Sequence, residues 1–600
     1  MDAEARASEP RSMGLTIFSL VAVVVGVTTG LGSMLFRALI GLIHNLLMYG
    51  TFSIAYDANV HMPVSAWGPL VILVPVVGAV IVTLIVTTFA PEARGHGVPE
   101  VMDSIYYNQG RIRPVVAVAK SLASAVAIGS QASVGREGPI IQIGASLGST
   151  IGQLLPMAVW QRITLVAAGA GAGIAATFNP PIGGVMFAVE LMLPEVSVRT
   201  FLPVALSTGT ATFIARQWLG RTPAFDVPPI PALMAHPVSL PTLLLFALLG
   251  ALVGLAAAGF IRGLHWAEGA FGRVANPYLR HTSGMLVVGI VIYLLYRNFG
   301  HYYVGGVGYA TVEQVLAGSL DLLPLLVLLF ACKLGATVLS LGSGSSGGIF
   351  SPSLFMGATL GGAFGAAVQM IDASPDLSIP AFAMVGMAAM VGGGTGAAMT
   401  AVTMIFEMTR NYDIVMPMIV AVALAIGVRR VLSRENIYTI KLVGRRHFVP
   451  KALHANMFLV RMAGDVMDRD VLVLPGETDF DSFLRDPAHA GAMKHVVVTE
   501  GDHIVGVARV NTSLRRGLEG AYTGVKLRDV ADRHFTIARE DDIAFAVIGR
   551  MWRRQAKMAL VVKASRVPRG DDVLGVITKE HIADSVTDSV KDYMPVGSQT

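Results

Sequence analysis

Apolar residues dominate the chain from residue 13 to about residue 430, whereas residues after about 455 alternate short apolar runs with polar ones. A membrane-spanning helix needs about 20 consecutive apolar residues, and the run at residues 13–49 is longer than that. Overall, 53% of the residues are hydrophobic and 14% are charged, an apolar excess that a soluble protein does not need. The pattern predicts a multi-pass membrane domain followed by a soluble C-terminal domain.

Glycine-rich breaks interrupt the apolar region, among them Gly-His-Gly-Val-Pro at residues 95–99 and Gly-Arg-Glu-Gly-Pro at residues 135–139. Broken helices are tolerated in a membrane only where they line a cavity or pack within protein. Arg136 and Glu137 place charges at membrane depth, which indicates a functional site. A helix that starts there exposes free N–H groups and a partial positive charge, so the second break predicts an anion site.

The membrane region contains an internal repeat, because residues 135–148 align with residues 348–361 at one constant offset. A weaker similarity relates residues 187–190 to residues 404–407. The alignment leaves open whether the halves are parallel or inverted. An inverted pair would bring helix starts at Glu137 and Phe350 toward one midplane point. The matched pairs are Gly135/Gly348, Pro139/Pro352, Gly144/Gly357, Ala145/Ala358, Leu147/Leu360 and Gly148/Gly361.

The C-terminal region is a second tandem repeat. Asp-Val-Met-Asp-Arg at residues 465–469 recurs as Asp-Val-Ala-Asp-Arg at residues 529–533, and a valine run at 496–498 corresponds to Leu-Val-Val at 560–562. Each repeat is too small to hold a large core alone, so we expect the two to pack together. The predicted fold is mainly α, with many tilted and broken membrane helices, followed by a tandem α/β domain.

Charge is distributed unevenly along the chain. Arg6 and Arg11 precede the first apolar run, residues 51–67 contain no lysine or arginine, and a basic cluster follows the last run. The positive-inside rule then predicts that both termini are cytoplasmic. This asymmetry explains the net charge of +5 without a nucleic-acid partner. The basic cluster comprises Arg429, Arg430, Arg434, Lys441, Arg445 and Arg446.

Two further absences restrict the chemistry. The first apolar segment is too long for a signal peptide and lacks a small-residue cleavage site. The single cysteine, Cys332, lies in an apolar run and is expected to be a small core residue. No Cys/His cluster has metal-ligand spacing, so the sequence predicts no metal site.

The breaks at residues 95–99 and 135–139, with Gly-Ile-Phe-Ser-Pro at 348–352, resemble the three anion-site motifs of CLC chloride channels and transporters. The resemblance covers residues ~15–440 and includes Phe-Asn-Pro-Pro at 178–181 and Glu-Met-Thr-Arg-Asn-Tyr at 407–412. It implies a homodimer of inverted-repeat helical subunits, each with its own pore for chloride or a similar small anion. The tail is similar to a pair of CBS modules, which often follow this membrane domain.

The resemblance also implies a domain organisation and a location in the lipid bilayer of the plasma (inner) membrane. The predicted parts are a cytoplasmic segment at 1–12, a transmembrane domain at 13–440 with repeats at about 13–230 and 240–440, a linker at 441–458, a tandem CBS domain at 459–590 and a tail at 591–600.

Position by position, Glu137 matches the family's gating glutamate. Its carboxylate would compete with the anion for the same N–H groups, then leave when protonated or displaced. The alternative is an inert ion pair with Arg136, although buried ion pairs are costly. The resemblance assigns anion binding to His96, Gly97, Arg136, Gly138, Ile349, Phe350 and Tyr438.

Two of these residues carry alternatives. His96 stands where the family usually has serine, and its imidazole either donates a hydrogen bond to the anion or caps a helix. Tyr438 matches the tyrosine whose hydroxyl reaches the central anion; the alternative is an interfacial aromatic anchor.

This chain also departs from the family at a position linked to proton transport. Proton-coupled members carry a glutamate near the inner proton route, and Leu191 occupies that position here. Leucine cannot carry a proton, so the sequence favours a passive channel gated by Glu137, and by voltage or pH, with a proton-coupled antiporter as the alternative. Glu190 either substitutes on the proton route or is a structural carboxylate bonded to backbone, like Glu407.

In the tail, CBS pairs commonly bind adenine nucleotides, which the resemblance extends to Arg509, Thr512, Thr578 and His581, with His581 replacing the usual aspartate. The alternative is a dimerisation and coupling module. Apart from this nucleotide and bound chloride, no cofactor is predicted.

Two other function classes find partial support in the sequence. Gly-Ser-Ser-Gly at 344–347 fits an intramembrane serine protease, which would need a histidine such as His301 as base. A divalent-cation channel needs clustered carboxylates in its pore, and few are present. The sequence therefore predicts anion transport rather than enzymatic catalysis.

Overall fold

The computed structural model describes residues 12–194, 196–220, 223–228, 239–372, 377–445, 447, 463–485, 495–509, 524–542, 544–563 and 569–581. The chain divides into two compact units, Met1–Val449 and Pro450–Thr600. The predicted N-terminal segment and C-terminal tail, and most of the predicted linker, lie outside the described residues, so their boundaries stay predictions.

The described part of the first unit is helical, and its polypeptide alternates long helices with short, broken ones. Within the described residues, six helices are long and apolar enough to cross a membrane: Leu15–Tyr49, Gly68–Thr88, Leu240–Gly272, Pro277–Phe299, Leu323–Ser343 and Val415–Leu432. The α-helices are α1 Leu15–Tyr49, α2 Val74–Thr88, α3 Val98–Tyr107, α4 Val115–Gly129, α5 Glu137–Leu154, α6 Val159–Phe178, α7 Pro181–Phe187, α8 Val198–Leu219, α9 Leu240–Gly272, α10 Pro277–Phe299, α11 Tyr309–Leu316, α12 Leu323–Ser343, α13 Phe350–Gln369, α14 Ile379–Thr395, α15 Ala398–Thr409, α16 Val415–Leu432 and α17 Thr439–Gly444.

The helix starts follow from the local sequence. Helix α3 begins after Gly97, whose φ of 82° is strained for any residue with a side chain, and Pro99 occupies the first turn, where its missing N–H costs no hydrogen bond. Helix α5 begins at Glu137, with Pro139 in its first turn. Helix α13 begins at Phe350 after the glycine-serine run. The breaks predicted from the sequence are therefore helix starts.

A local two-fold rotation relates the halves of the first unit. Gly135 and Gly348, which are equivalent in the repeat, donate their N–H groups to each other's carbonyls at 2.7 and 2.6 Å. Lys120 and Lys333 are buried at matching positions, and each donates to two carbonyls of the loop before a short helix. Such reciprocity requires a rotation that exchanges the halves, and the predicted mainly α, two-repeat architecture is confirmed.

The second unit contains two three-stranded sheets with the same connectivity. In each sheet the first strand pairs parallel with the second, and the second pairs antiparallel with the third. The middle strands are almost fully buried. The elements are α18 Ala463–Val466, β1 Val471–Pro475, α19 Phe480–Arg485, β2 His495–Glu500, β3 His503–Arg509, α20 Leu527–Val530, β4 Phe535–Arg539, α21 Ala544–Arg553, β5 Met558–Val562 and β6 Val573–Thr578.

The two sheets are joined by reciprocal contacts. Asp468, just before β1, and Val576 of β6 exchange backbone hydrogen bonds at 2.9 and 3.0 Å. Asp532, just before β4, and Val507 of β3 do the same at 3.0 and 3.1 Å. The two repeats thus pack around a second local two-fold, as the tandem sequence repeat predicted.

Candidate functional site

Three backbone segments meet where α3, α5 and α13 begin. Gly95 donates to Ser345 O at 3.1 Å and accepts from Gly347 N at 3.2 Å, which joins the first segment to the third. The Gly135–Gly348 pair joins the second to the third. A Cβ added to Gly138 would lie 2.8 Å from Gly348 Cα, so only glycine permits this approach. We call this meeting point the junction; three helix starts place partial positive charge there.

The junction offers unused backbone donors. Among the described residues, no hydrogen bond joins the amide N–H of Gly138, Ile349 or Phe350 to another group of the protein. The first N–H groups of a helix have no partner within the helix. These amides can therefore bind an anion at the positions where the sequence predicted one.

The Glu137 carboxylate occupies part of the junction and is fully buried. Its Oε2 accepts from Ser351 N at 3.1 Å and from Ser351 Oγ at 2.5 Å. Its Oε1 contacts the Tyr309 hydroxyl. The carboxylate of one repeat thus lies at the helix start of the other, on donors that would suit a free anion equally well.

Glu137, Tyr309 and Ser351 form a closed ring of oxygen contacts. The Tyr309 hydroxyl also lies 2.6 Å from Ser351 Oγ, so each of the three residues contacts the other two. A hydrogen bond places one proton between two oxygens, and the two hydroxyls supply two protons. Both hydroxyls donate to Glu137 in the structure, and a protonated Glu137 completes the ring once one hydroxyl turns to donate to the other. The ring therefore accommodates the carboxylic acid, whereas the carboxylate leaves one oxygen pair without a proton.

Arg136 makes no close ion pair with Glu137. Its Nε lies 4.0 Å from Glu137 Oε1, and its guanidinium lies over the rings of Phe178 and Tyr309, at 5.7 and 5.2 Å from their centroids. The Arg136 Nε has no hydrogen-bond partner among the described residues. The ion pair between Arg136 and Glu137 is thus a long one, and the guanidinium adds positive charge beside the ring.

His96 and Tyr438 lie together beside the junction, both almost fully buried. Their ring centroids are 5.8 Å apart with an interplanar angle of 43°. The backbone N–H of Tyr438 donates to Asn436 Oδ1 at 2.9 Å, which fixes its segment. No described group bonds to His96 Nδ1. Burying an unbonded imidazole nitrogen is costly, so this nitrogen is available to a ligand.

Glu190 does not join the junction. Its carboxylate accepts from Met399 N at 3.3 Å and from Thr400 N at 2.9 Å, at the start of α15. In the other half, Glu407 accepts from the first amides of α7 at 3.1 and 2.6 Å. The two carboxylates are two-fold equivalents that bind each other's helix starts. Of the two predictions for Glu190, the geometry matches the structural carboxylate rather than the proton route.

The protease prediction does not match the geometry. His301 stacks on His61 at a centroid distance of 4.1 Å. The imidazole that contacts Ser345 is His281, at 2.8 Å, and both of these residues are buried. Ser346 donates instead to the carbonyl of Ala93 at 2.6 Å. Neither serine is placed as an accessible nucleophile.

Tyr309 and Ser351 were not predicted as site residues. Ser351 belongs to the segment at 348–352, whose amides were predicted donors, but its hydroxyl was not considered. Tyr309 follows Gly306-Val-Gly308, which corresponds to Gly95-His-Gly97 in the other half. That correspondence was the available signal, because it places Tyr309 at the start of a short helix equivalent to α3.

The candidate nucleotide residues of the second unit are only partly described. Thr512 and the side chain of Arg509 lie outside the described residues. Thr578 is buried, and the His581 N–H donates to Thr578 Oγ1 at 3.3 Å. His581 Nε2 lies 3.4 Å from Asp468 Oδ2, across the boundary between the two repeats.

Comparison with known proteins gives consistent matches. A family model described as "Voltage gated chloride channel" matches residues 77–430. A protein of Ralstonia nicotianae named as chloride channel protein ClcB-like is 32% identical over 58% of this chain and 80% of its own length. A protein of Vibrio parahaemolyticus named H(+)/Cl(-) exchange transporter ClcA is 32% identical over 61% of this chain and 78% of its own length.

Solved structures match over a similar range. A slow cyanobacterial Cl-/H+ antiporter has a TM-score of 0.63 and 25% identity, covering 72% of this chain and 99% of its own. A eukaryotic CLC transporter has a TM-score of 0.57 over 94% of this chain and 97% of its own. At 19% identity, the second likeness shows the fold alone.

Proposed function

The chain belongs to the voltage gated chloride channel (CLC) family, and on that premise we propose that this multi-pass membrane protein exchanges chloride for protons. Glu137 is the group that both ions share. Its carboxylate occupies the junction when no anion is bound there, and its protonated form moves aside and carries a proton. This departs from the passive channel that the sequence favoured and adopts its antiporter alternative.

The ring of Glu137, Tyr309 and Ser351 carries this proposal. Three oxygen contacts need three protons, and only the carboxylic acid completes them. If Glu137 only blocked the pore, its ionised carboxylate would be sufficient, and its protonated form would have no role. A ring that accommodates the protonated form supports a gate that also binds and releases protons. Several relatives are named H+/Cl- exchange transporters, which supports chloride–proton exchange rather than a passive channel.

The anion path would use the remaining junction groups. Amides of Gly138, Ile349 and Phe350 supply donors at the helix starts. Tyr438 and the unbonded Nδ1 of His96 line the next position. His96 places an imidazole where the family usually has a serine. Anion selectivity is therefore the property that we expect to differ most from that of other family members.

A passive channel remains the second candidate, favoured by Leu191. Leucine cannot relay a proton, and Leu191 packs among apolar neighbours of the core. Glu190, the nearest carboxylate in sequence, is engaged at the start of α15. An exchanger would therefore need another inner proton route, such as water entering from the cytoplasmic side.

Liposomes distinguish the two candidates. The purified full-length chain, reconstituted with a steep chloride gradient and no pH gradient, should drive protons against their own electrochemical gradient. External pH and chloride are recorded together, and a protonophore should abolish the pH change. Chloride flux without uphill proton movement would establish the channel. Absence of any anion flux would contradict both candidates.

We also propose that the C-terminal unit is a pair of CBS modules, supported by its two equivalent sheets and their reciprocal contacts. An adenine nucleotide in its cleft is the regulatory ligand to test, by titrating the full-length protein with ATP and AMP. Unchanged stability and flux at millimolar nucleotide would leave coupling or dimerisation as its role.

The assembly proposed for the chain is a homodimer in the plasma (inner) membrane, with both termini cytoplasmic. The family resemblance and the distribution of basic residues support this arrangement. Light scattering in detergent should give twice the chain mass, and protease added to sealed inside-out vesicles should reach both ends.

A further inference from the structure

Three metal-ligating side chains converge in the second unit, and one of them, His581, is also a candidate nucleotide residue. They are Asp468 before β1, His495 at the start of β2 and His581 after β6. Their ligand atoms all lie within 4.8 Å of one another. His495 is almost fully buried, and the Asp468 and His581 side chains are about one-fifth exposed. The cluster thus joins both repeats in a partly enclosed place.

Neighbouring groups hold two of these side chains in a ligating orientation. His581 Nδ1 lies 3.2 Å from the Val576 carbonyl, and Asp468 Oδ1 accepts from Asp470 N at 3.0 Å. A histidine that ligates a metal usually donates its other ring N–H to such a carbonyl. The Thr578 backbone N–H lies 3.3 Å from the same Nδ1, so either ring nitrogen can carry the proton; when Nδ1 carries it, the lone pair of Nε2 faces Asp468 Oδ2 at 3.4 Å. In that tautomer a metal cation beside the two atoms would satisfy both of them, whereas a proton on Nε2 would make the contact a hydrogen bond.

The distance suits a metal ion. Nitrogen and oxygen ligands about 2.0–2.2 Å from tetrahedral zinc lie about 3.3–3.6 Å from one another. The His581–Asp468 separation of 3.4 Å falls within this range. The His495 ring stands nearly perpendicular to the His581 ring, with centroids 5.6 Å apart. Its ligand nitrogen lies within 4.8 Å of the other two ligand atoms.

We propose that Asp468, His495 and His581 bind a divalent cation of the zinc type, with water as the fourth ligand. Two imidazoles and one carboxylate form a donor set that zinc accepts. Because the ligands come from both repeats, the ion would cross-link the two halves of the unit. Bound metal would therefore stabilise the packed pair by mass action.

The other half of the unit keeps the aspartate but not the histidine equivalent to His495, which indicates that the full ligand set is not a by-product of the repeat. Asp532 occupies the position equivalent to Asp468, but it pairs with Lys557 at 2.7 Å and His534 at 3.0 Å. Ala559 stands at the position equivalent to His495. A lysine ammonium thus satisfies the carboxylate in one half, where the metal would do so in the other.

Metal binding can be measured directly on the full-length protein, purified without a histidine tag and stripped with chelator. Titration with Co²⁺ should give the visible absorption of a tetrahedral site at one ion per chain, and Zn²⁺ should displace it. Asp468→Asn and His581→Gln should each weaken binding about 100-fold or more, since each removes one of three ligands. The matched control is His534→Gln, which alters the exposed His–Asp pair of the other half.

Two measurements guard against misfolding. Each variant should keep the wild-type gel-filtration profile, and in wild-type protein Zn²⁺ should raise the unfolding temperature of the stripped form. The proposal is overturned if wild-type protein binds neither ion. It is also overturned if folded Asp468→Asn and His581→Gln bind like wild type, or if His534→Gln loses binding equally. In those cases His581 and Asp468 form only a hydrogen-bonded pair.

Discussion

Replacing Glu137 by glutamine should raise the chloride affinity of the junction. The carboxylate accepts hydrogen bonds from Ser351 N, Ser351 Oγ and the Tyr309 hydroxyl, and a chloride ion would use the same donors. Glutamine keeps one accepting oxygen, but its NH₂ group cannot accept. The Glu137→Gln side chain is therefore a weaker competitor, while every donor to chloride is retained.

The size of the effect follows from the lost contacts. A hydrogen bond to a charged group contributes about 1.5–3 kcal/mol, and at least one is lost in Glu137→Gln. At about 1.4 kcal/mol per factor of ten, the apparent chloride affinity should rise about 10- to 150-fold.

Isothermal titration of chloride into the purified protein, at alkaline pH, measures this directly. The matched control is Glu313→Gln, because Glu313 lies on the same helix as Tyr309 but accepts from Asp226 N, at 2.9 Å, outside the junction. Its chloride affinity should equal that of wild type. Equal affinities of Glu137→Gln and wild type at alkaline pH would refute the competition between carboxylate and anion.

Three further substitutions test other parts of the account. Gly138→Ala should abolish folding or transport, because its Cβ would press on the backbone of Gly348, whereas Gly335→Ala, with open space around its Cα, should express normally. Glu407→Gln should lower thermal stability, by about 1.5–3 kcal/mol for one lost charge-assisted bond, without changing chloride affinity; unchanged unfolding temperatures would contradict its role at the α7 start. Tyr438→Phe should weaken chloride binding about 2- to 10-fold in titration, and full affinity would show that the hydroxyl does not reach the anion.

The repeat in the sequence predicted the fold and the location of the site better than the chemistry. The helix starts at Glu137 and Phe350 were predicted from the positions of glycine and proline. These residues act on the local backbone, so a single segment of sequence is enough to recognise them. The same repeat paired Gly135 with Gly348 but left open whether the halves are parallel or inverted, and only the structure shows that the two glycines exchange hydrogen bonds. In the sequence, the equivalence of Glu190 and Glu407 was visible only as a weak similarity, because the glutamate is the one aligned residue that the segments 187–190 and 404–407 share.

What could not be predicted depends on side chains brought together from distant segments. Tyr309 and Ser351 contact Glu137 only because two helix starts from the second half face one from the first. The cluster of Asp468, His495 and His581 was not predicted for the same reason. Asp468 and His581 lie near opposite ends of the C-terminal sequence and meet only in the folded unit. Ligand spacing along the sequence detects sites within one loop, and it does not detect a site shared by two repeats.

The central claim is that one carboxyl group, that of Glu137, both blocks the anion and carries the proton. Simultaneous recording of chloride and proton flux in liposomes, for wild type and Glu137→Gln, tests it most directly. We expect coupled movement of both ions in wild type and, in Glu137→Gln, chloride flux that persists while proton flux disappears. A Glu137→Gln protein that still moves protons against their gradient would contradict it.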